Sequence, residues 1–261
     1  MLANNEVGTL QPVRELADLC HAHNISVHVD AVAAVGKVPV DVRALGCDTL
    51  AVSGHKLYAP KGVGFLFGSH TSPIARAMRA GGSASASCAR ACGDAVLTYP
   101  PLIFGCEQQC GMRGGTENAA GCAALGAAFA MLTLPGAVHP DAPAIAALVE
   151  LLWERLCAAA RGVGVALRRN GGAPALPNTL SVAFAGLDAA DLQARLGVHG
   201  FSVAAGAAAS NGRPSHVLEA MGAADLARST LRFSLGSALV AALTAELPRV
   251  KRVVSVLASK M

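Results

Sequence analysis

The chain has 261 residues and a formal net charge of +4. Because 53% of its residues are hydrophobic and only 15% are charged, its composition excludes intrinsic disorder. With 4% aromatic residues and scattered arginines, it gives little support for nucleic-acid binding. No apolar run is long enough to predict a membrane span, and the opening MLANNEVG lacks the pattern of a secretory signal.

The eight cysteines are too few for a disulfide scaffold in a chain this long, so we expect an intracellular, cytoplasmic location. Two C-x3-C pairs are present, formed by Cys88, Cys92, Cys106 and Cys110. Zinc sites usually have the tighter C-x2-C spacing, and no histidine lies between the pairs. Ordinary use of small residues therefore explains them better than a metal, and we predict no metal site.

The first half alternates between helical and strand-like segments. Pro12 opens a predicted helix whose apolar face carries Val13, Leu16, Ala17 and Cys20. Three β-rich runs follow, namely ISVHVD (25–30), DTLAVSGHK (48–56) and GVGFLFG (62–68). Short apolar strands separated by helices predict an α/β fold with a mainly parallel, buried sheet.

The middle of the chain changes in composition. Residues 70–101 are rich in Ala, Ser, Gly and Cys and predict a flexible insertion, and an alanine-rich helix is predicted at 119–133. The proline-rich stretch at 134–143 is the predicted domain boundary. We therefore expect a large domain over 1–137 and a second domain over 138–261.

The second domain is predicted to be a small α+β domain. Strands are expected in VGVALRR (163–169), TLSVAF (179–184), GFSVAAG (200–206) and TLRFSLG (230–236). Helices are expected at 144–160, 188–196, 215–221 and 240–258.

The residues most suggestive of chemistry are Lys56 and Asp30, which each follow a predicted strand in a chain with five lysines. In parallel sheets, ligands gather at the carboxyl ends of the strands. A lysine there can be a simple surface residue. A strand-end lysine, an upstream strand-end acid and the pair Ser53 and His55 nevertheless match what pyridoxal phosphate needs: an amine, a partner for the ring nitrogen and phosphate donors.

Seven ordered segments make this interpretation specific. They are NNEVG (4–8), HVDAVAAVGK (28–37), SGHKLYAPKGVG (53–64), GMRGGTEN (111–118), PNTLSVAF (177–184), PSHVL (214–218) and LRFSLG (231–236). The chain thereby resembles the cysteine desulfurase and selenocysteine lyase family of class-V, fold-type-I pyridoxal phosphate enzymes. The resemblance implies a fold-type-I large domain, mainly a parallel sheet, followed by a smaller C-terminal α+β domain.

The resemblance also implies roles for single residues. Lys56 resembles the Schiff-base lysine, which also moves the substrate Cα proton. Asp30 resembles the partner of the pyridine nitrogen, and Asn5 the residue that hydrogen-bonds the phenolic oxygen of pyridoxal 5′-phosphate. Ser53 and His55 resemble phosphate ligands.

Two further residues are implied to act on a partner or on the substrate. Thr116 resembles a residue that reaches the phosphate bound in the partner subunit, which implies a homodimer. Arg232 resembles the group that binds the substrate carboxylate, because a planar guanidinium suits two-pronged binding. The neighbouring Asn4 and His28 are interpreted as structural.

Three departures from the family pattern qualify these roles. The family's chains normally begin well before NNEVG, so we expect the N-terminal part of the large domain to be lacking here. Ala33 stands where the family has a glutamine that contacts the phenolic oxygen. Ala209 stands where the family has its nucleophilic cysteine, and alanine cannot carry a persulfide. Cys106 and Cys110 are also unlike the residues at these positions in relatives.

The leading hypothesis for function is a pyridoxal phosphate-dependent lyase that converts cysteine or selenocysteine to alanine, with desulfuration doubtful because of Ala209. An inactive relative that serves as a dimerisation or scaffold partner remains an alternative, as does a truncated chain without stable function. A further alternative is another class-V aminotransferase, although SGHK and GMRGGTEN favour the desulfurase branch. No nucleic-acid or membrane partner is expected.

Overall fold

The structure, a computed structural model, describes residues 1–69, 102–106, 108–134, 136–206 and 214–237. The chain divides into two compact units, the first formed by Met1–Leu2 and Gln11–Val138, and the second by Ala3–Leu10 and the residues from His139 onward. The domain limits 1–137 and 138–261 stay a prediction, to which the structure adds the placement of Ala3–Leu10 with the later residues. The insertion predicted at 70–101 and the helix predicted at 240–258 lie outside the described residues.

The first unit contains three α-helices, three strands and two 3₁₀ turns among its described residues. In chain order these are α1 (Val13–Ala22), β1 (His28–Asp30), α2 (Val42–Leu45), β2 (Thr49–Ser53), the 3₁₀ turn Gly54–Lys56, β3 (Gly64–Gly68), the 3₁₀ turn Gln108–Gly111 and α3 (Ala119–Ala130). Helix α1 begins after Pro12 and buries Val13 and Ala17 of the predicted apolar face, whereas Leu16 is 50% exposed and Cys20 is only half-buried.

The sheet of the first unit has the order β1-β2-β3 and is mixed. Strands β1 and β2 are parallel, as predicted, with Asp30 opposite Ala51. Strand β3 runs antiparallel to β2, with Ser53 opposite Gly64. The short connection between β2 and β3 explains this direction, because a parallel pairing needs a crossover of a dozen or more residues.

The second unit is the α+β arrangement that the sequence predicts. It contains α4 (Ala142–Gly162), β4 (Leu167–Arg169), β5 (Thr179–Phe184), α5 (Ala189–Val198), β6 (Ala204–Ala205), α6 (His216–Ala220), the 3₁₀ turn Ala224–Ser229 and β7 (Thr230–Ser234). Its four strands have the order β4-β5-β7-β6, and all neighbouring pairs are antiparallel.

The core of the second unit lies between its sheet and helices α4 and α5. Every residue of β5 is buried, including the polar Thr179 and Ser181. The large side chains of this core that are at most 2% exposed are Leu156, Leu180, Phe184, Leu196 and Leu231. This packing holds β5 and β7, the two central strands, in register.

Valine substitutions should show how much this core contributes. Val182 lies in β5 with no exposed surface, whereas Val198 ends α5 with 85% of its surface exposed. Val182→Ala should lower the free energy of unfolding by about 2–3 kcal/mol, because it removes two buried carbons and leaves a cavity. Val198→Ala should change it by less than about 0.5 kcal/mol. Urea unfolding followed by far-UV circular dichroism compares the two, and equal losses would contradict the assigned core.

Two kinds of feature are absent from the described residues. None of the helices described is long and apolar enough to cross a lipid bilayer. Within the same residues, no three His, Cys, Asp or Glu side chains are grouped so that they could hold a metal ion. Cys106 is exposed, and Cys88 and Cys92 lie outside the described residues, so the interpretation of the cysteine pairs stays a prediction.

Candidate functional site

Four of the residues singled out in the sequence lie at one edge of the first unit's sheet. Because β1 and β2 are parallel, both end at the same edge, where Asp30 closes β1 and Ser53 closes β2. The chain continues from Ser53 directly into the 3₁₀ turn that carries His55 and Lys56. The fold therefore brings a carboxylate, a hydroxyl, an imidazole and an amine to the carboxyl ends of two adjacent strands, which is where α/β sheets bind ligands.

One oxygen of the Asp30 carboxylate is held by a backbone hydrogen bond. The side chain is half-buried, and its Oδ1 accepts a hydrogen bond of 2.9 Å from the backbone N–H of Val32. Its backbone carbonyl accepts from the N–H of Leu2 at 2.8 Å. No hydrogen bond from a described residue reaches the second carboxylate oxygen. Asp30 is thus held in place with one oxygen available to a positively charged or N–H donor.

Ser53 and His55 form a pair at the end of β2. Ser53 Oγ and His55 Nδ1 are 2.7 Å apart. The 3₁₀ turn Gly54–Lys56, which carries His55, is closed by a hydrogen bond of 2.8 Å from the Leu57 N–H to the Gly54 carbonyl. A Cβ on Gly54 would lie 3.0 Å from the carbonyl oxygen of Val63, so this tight turn suits glycine. The arrangement presents a hydroxyl and a ring nitrogen side by side, as an anion such as phosphate requires.

Lys56 is exposed at the end of this turn, and a second lysine lies against its backbone. Lys37 Nζ donates a hydrogen bond of 3.2 Å to the carbonyl oxygen of Lys56. Burial, and secondarily the positive charge of Lys56, lowers the pKa of Lys37 to about 8. Sequence reasoning assigned no role to Lys37, although it is the last residue of the segment HVDAVAAVGK.

The lowered pKa of Lys37 predicts a titration that labelling can detect. In the folded chain, acylation of Lys37 by acetic anhydride should rise with a midpoint near pH 8, and the same residue in denaturant should titrate near its ordinary value of 10.5. Between these values the unfolded chain binds more protons, so the contribution of Lys37 to the free energy of unfolding should increase as pH rises. Quantitative peptide mapping across pH measures both midpoints, and coincident midpoints would contradict the burial of this amine.

In the second unit, Asn5 and Arg232 are in contact although they are 227 residues apart. Arg232 lies in β7, and its Nη1 donates a 2.5 Å hydrogen bond to the backbone carbonyl of Asn5. The Nε of Arg232 is buried and has no hydrogen-bond partner among the described residues. Arg232 therefore has an unused donor, which a carboxylate would satisfy.

A second long-range contact joins the NNEVG and PSHVL segments within the same unit. Ser215 Oγ donates to Glu6 Oε2 at 2.5 Å, and both residues are buried. The same Oγ accepts from Leu218 N–H at 3.1 Å and caps α6. Asn4 closes the preceding turn by accepting hydrogen bonds from the N–H groups of Glu6 and Val7, which fits the structural role predicted for it.

The remaining sequence candidates lie apart from these contacts. Thr116 is exposed on the segment that leads into α3, and no hydrogen bond among the described residues joins it to Lys56 or its neighbours. Ala33, at the position of the family's glutamine, is half-buried after β1. Ala209, at the position of the family's nucleophilic cysteine, lies outside the described residues.

Comparison with known proteins identifies the family of the chain. The family model described as "Aminotransferase class-V" matches residues 1–242. Cysteine desulfurase from Klebsiella pneumoniae is 35% identical over 240 residues, which cover 90% of this chain and 52% of the relative. The chain thus spans about half the length of the curated relatives it matches.

Two solved structures have a similar fold. A NifS-like protein is 28% identical with a TM-score of 0.66, covering 98% of this chain and 60% of its own. SspA, solved in complex with cysteine, is 30% identical with a TM-score of 0.63, covering 90% and 57%. These similarities confirm the fold class predicted from the sequence, a fold-type-I α/β arrangement with a smaller α+β part. The chain belongs to the class-V aminotransferase family, and cysteine desulfurases are among its relatives there, as the seven segments predicted.

Proposed function

We propose that the chain forms part of a pyridoxal 5′-phosphate-dependent enzyme of the cysteine desulfurase type, which converts cysteine or selenocysteine to alanine with release of sulfur or selenium. The observation that carries the proposal is the convergence of Asp30, Ser53, His55 and Lys56 at one sheet edge. Family membership supports the cofactor, and the names of the relatives support the substrate class.

The donor set at this edge fits the cofactor. An exposed lysine amine can bond its aldehyde, a carboxylate with a free oxygen can hold its ring nitrogen protonated, and a hydroxyl beside an imidazole can bind its phosphate. When bound, pyridoxal 5′-phosphate supplies an electron sink that stabilises negative charge at the substrate Cα.

Each residue then has a distinct task. Lys56 Nζ carries the cofactor and afterwards takes up the proton from the substrate Cα. The Asp30 carboxylate keeps a proton on the ring nitrogen, because its negative charge favours the cationic ring. Ser53 and His55 fix the phosphate, and Asn5 is assigned to the phenolic oxygen. Ala33 removes one hydrogen bond there, at a cost of about 1 kcal/mol.

Arg232 is assigned to the substrate carboxylate. Its buried, unpartnered Nε supports this role, because a carboxylate would satisfy that donor. The hydrogen bond from Nη1 to the Asn5 carbonyl fixes the orientation of the guanidinium plane. Cysteine is the ligand named for SspA, one of the structural relatives, which supports a cysteine-like amino acid as the substrate.

Ala209 decides which chalcogen the proposal favours. Without a thiol at this position no persulfide can form there, so we propose selenocysteine as the better substrate because its C–Se bond is the weaker one. The same alanine favours a second candidate function, a non-catalytic partner that contributes only to dimerisation. A homodimer in which Thr116 reaches the partner's phosphate, and a cytoplasmic location, both belong to this proposal.

Cofactor uptake and turnover, measured together, separate the two candidates. The purified chain is titrated with pyridoxal 5′-phosphate while its visible absorbance is recorded, and alanine release is then measured with cysteine and with selenocysteine. The enzyme proposal expects saturable uptake and alanine from selenocysteine. Saturable uptake without alanine from either substrate would support the non-catalytic partner. A chain that stays colourless and runs as a monomer in size-exclusion chromatography would contradict both.

A further inference from the structure

The carbonyl of Lys56 is held by a side chain from a different segment of the first unit. Lys37 lies in the turn after β1, and Lys56 ends the turn after β2, so the hydrogen bond between them at 3.2 Å links the two loops at the sheet edge. The donor is an ammonium group, and charge-assisted hydrogen bonds are the stronger ones. This contact acts on the backbone from which the Lys56 amine extends.

The packing beside the hydrogen bond keeps the two turns together. Gly36, with φ +80°, lies against the side chain of Leu57, which would collide with any Cβ added at that position. Leu57 itself is 4% exposed. The residues immediately adjacent to Lys37 and to Lys56 therefore pack directly on each other, and the distance between the two lysines is set by this close approach.

The position is electrostatically unfavourable for Lys37. No carboxylate among the described residues forms an ion pair with its amine, the residue is half-buried, and the positive charge of Lys56 acts unfavourably on it. His55, the other titratable group on that turn, has its Nδ1 beside Ser53 Oγ. Among the described residues, the Lys56 carbonyl is the hydrogen-bond partner that offsets the desolvation of this half-buried cation.

We propose that Lys37 is a positioning residue for Lys56. Its ammonium holds the Lys56 carbonyl, fixes the 3₁₀ turn Gly54–Lys56, and so limits the directions in which the Lys56 amine can reach a bound aldehyde. The inference rests on the proposed function in that Lys56 is taken as the amine that bonds the cofactor. The hydrogen bond itself makes a prediction that needs no cofactor.

The first test measures the turn without cofactor. In the full chain, the amide of Leu57, which is bonded to the Gly54 carbonyl, should exchange with deuterium about tenfold faster in Lys37→Met than in the parent, because the turn loses its anchor. Lys37→Arg keeps a charged donor and should restore the parental rate. Lys61→Met, which removes an exposed lysine from the following loop, is the control and should leave the rate unchanged.

The second test measures cofactor attachment to Lys56. Each variant is mixed with pyridoxal 5′-phosphate, samples are reduced with borohydride over time, and peptide mapping quantifies the pyridoxyl group on Lys56. Lys37→Met should slow this attachment about tenfold, and Lys37→Arg should stay within threefold of the parent. Equal rates of exchange and attachment in the parent and in Lys37→Met would overturn the proposal.

Two other outcomes are also informative. If Lys37→Met lowers the melting temperature of the whole chain, the Lys37→Arg variant decides between the two explanations. Parental rates of exchange and attachment in Lys37→Arg support positioning, and rates as altered as those of Lys37→Met overturn it. Where the parent attaches no cofactor at Lys56, the proposed function fails, and the Leu57 exchange rates alone support or overturn the role of Lys37.

Discussion

Replacing Lys56 by alanine should abolish covalent attachment of pyridoxal 5′-phosphate to the chain. The reason is chemical, because only an amine can condense with the cofactor aldehyde, and Lys56 is the exposed amine at the edge where Asp30 and Ser53 end their strands. After borohydride reduction, the parent should carry a pyridoxyl group on Lys56. The variant should carry less than about a hundredth as much, measured by mass spectrometry of the tryptic peptides, since loss of a nucleophile costs orders of magnitude.

The control for this experiment is Lys61→Ala. Lys61 is also exposed and lies five positions further along, after Pro60, so it has similar access to reagent without a place at the strand end. Lys61→Ala should label at Lys56 as the parent does. A pyridoxyl group found on Lys61 in the parent, or unchanged total labelling in Lys56→Ala, would show that Lys56 is not the reactive amine.

The secondary structure near this site was predictable because its sequence patterns are local. The i, i+3, i+4 spacing of Val13, Leu16 and Ala17 leads to α1, and short β-rich runs lead to β1 and β2. The direction of β3 could have been inferred from the length of the connection after Lys56. The sequence analysis predicts a mainly parallel sheet, which holds for β1 and β2. The prediction does not hold for β3, because the connection between β2 and β3 is too short for a parallel crossover.

The sheet-edge cluster was also predictable, because the carboxyl ends of parallel strands meet. The position of Lys37 against the Lys56 carbonyl was not, since no residue pattern reports a side chain that bonds a backbone atom 19 residues away. The same holds for Arg232 and Asn5, whose roles were implied one at a time by resemblance and whose contact is a product of β7 packing in the second unit. Tertiary contacts of this kind depend on three-dimensional approach rather than on spacing.

The buried Glu6–Ser215 pair shows what such contacts add to the interpretation of motifs. NNEVG and PSHVL were quoted as separate segments, yet within the second unit one hydroxyl bonds the glutamate of the first segment and caps the helix of the second. A residue of one motif can therefore hold another motif in place. Lys37 is proposed to act in the same way toward Lys56.

The chalcogen that the chain releases should change when a thiol is restored at position 209. Removal of sulfur from cysteine by this family needs an attacking thiol, which Ala209 cannot supply, so the parent should produce negligible alanine from cysteine. Ala209→Cys should raise this rate at least about a hundredfold, because nucleophiles contribute several orders of magnitude in enzymes that use them. Alanine release from selenocysteine should change by less than about threefold, since the C–Se bond breaks more readily and is not limited by the thiol.

Two controls make the effect of Ala209→Cys specific. Ala208→Cys places the same thiol one position earlier in the chain and should leave sulfur release at the parental level, because nucleophilic attack depends on position. Cys106, which is exposed, and Cys110 precede the GMRGGTEN segment, and replacing both by alanine tests whether they substitute for the missing thiol. Alanine release is quantified from each substrate by chromatography after equal cofactor loading. Strong sulfur release by the parent that survives the double substitution would show that Ala209 does not limit this chemistry.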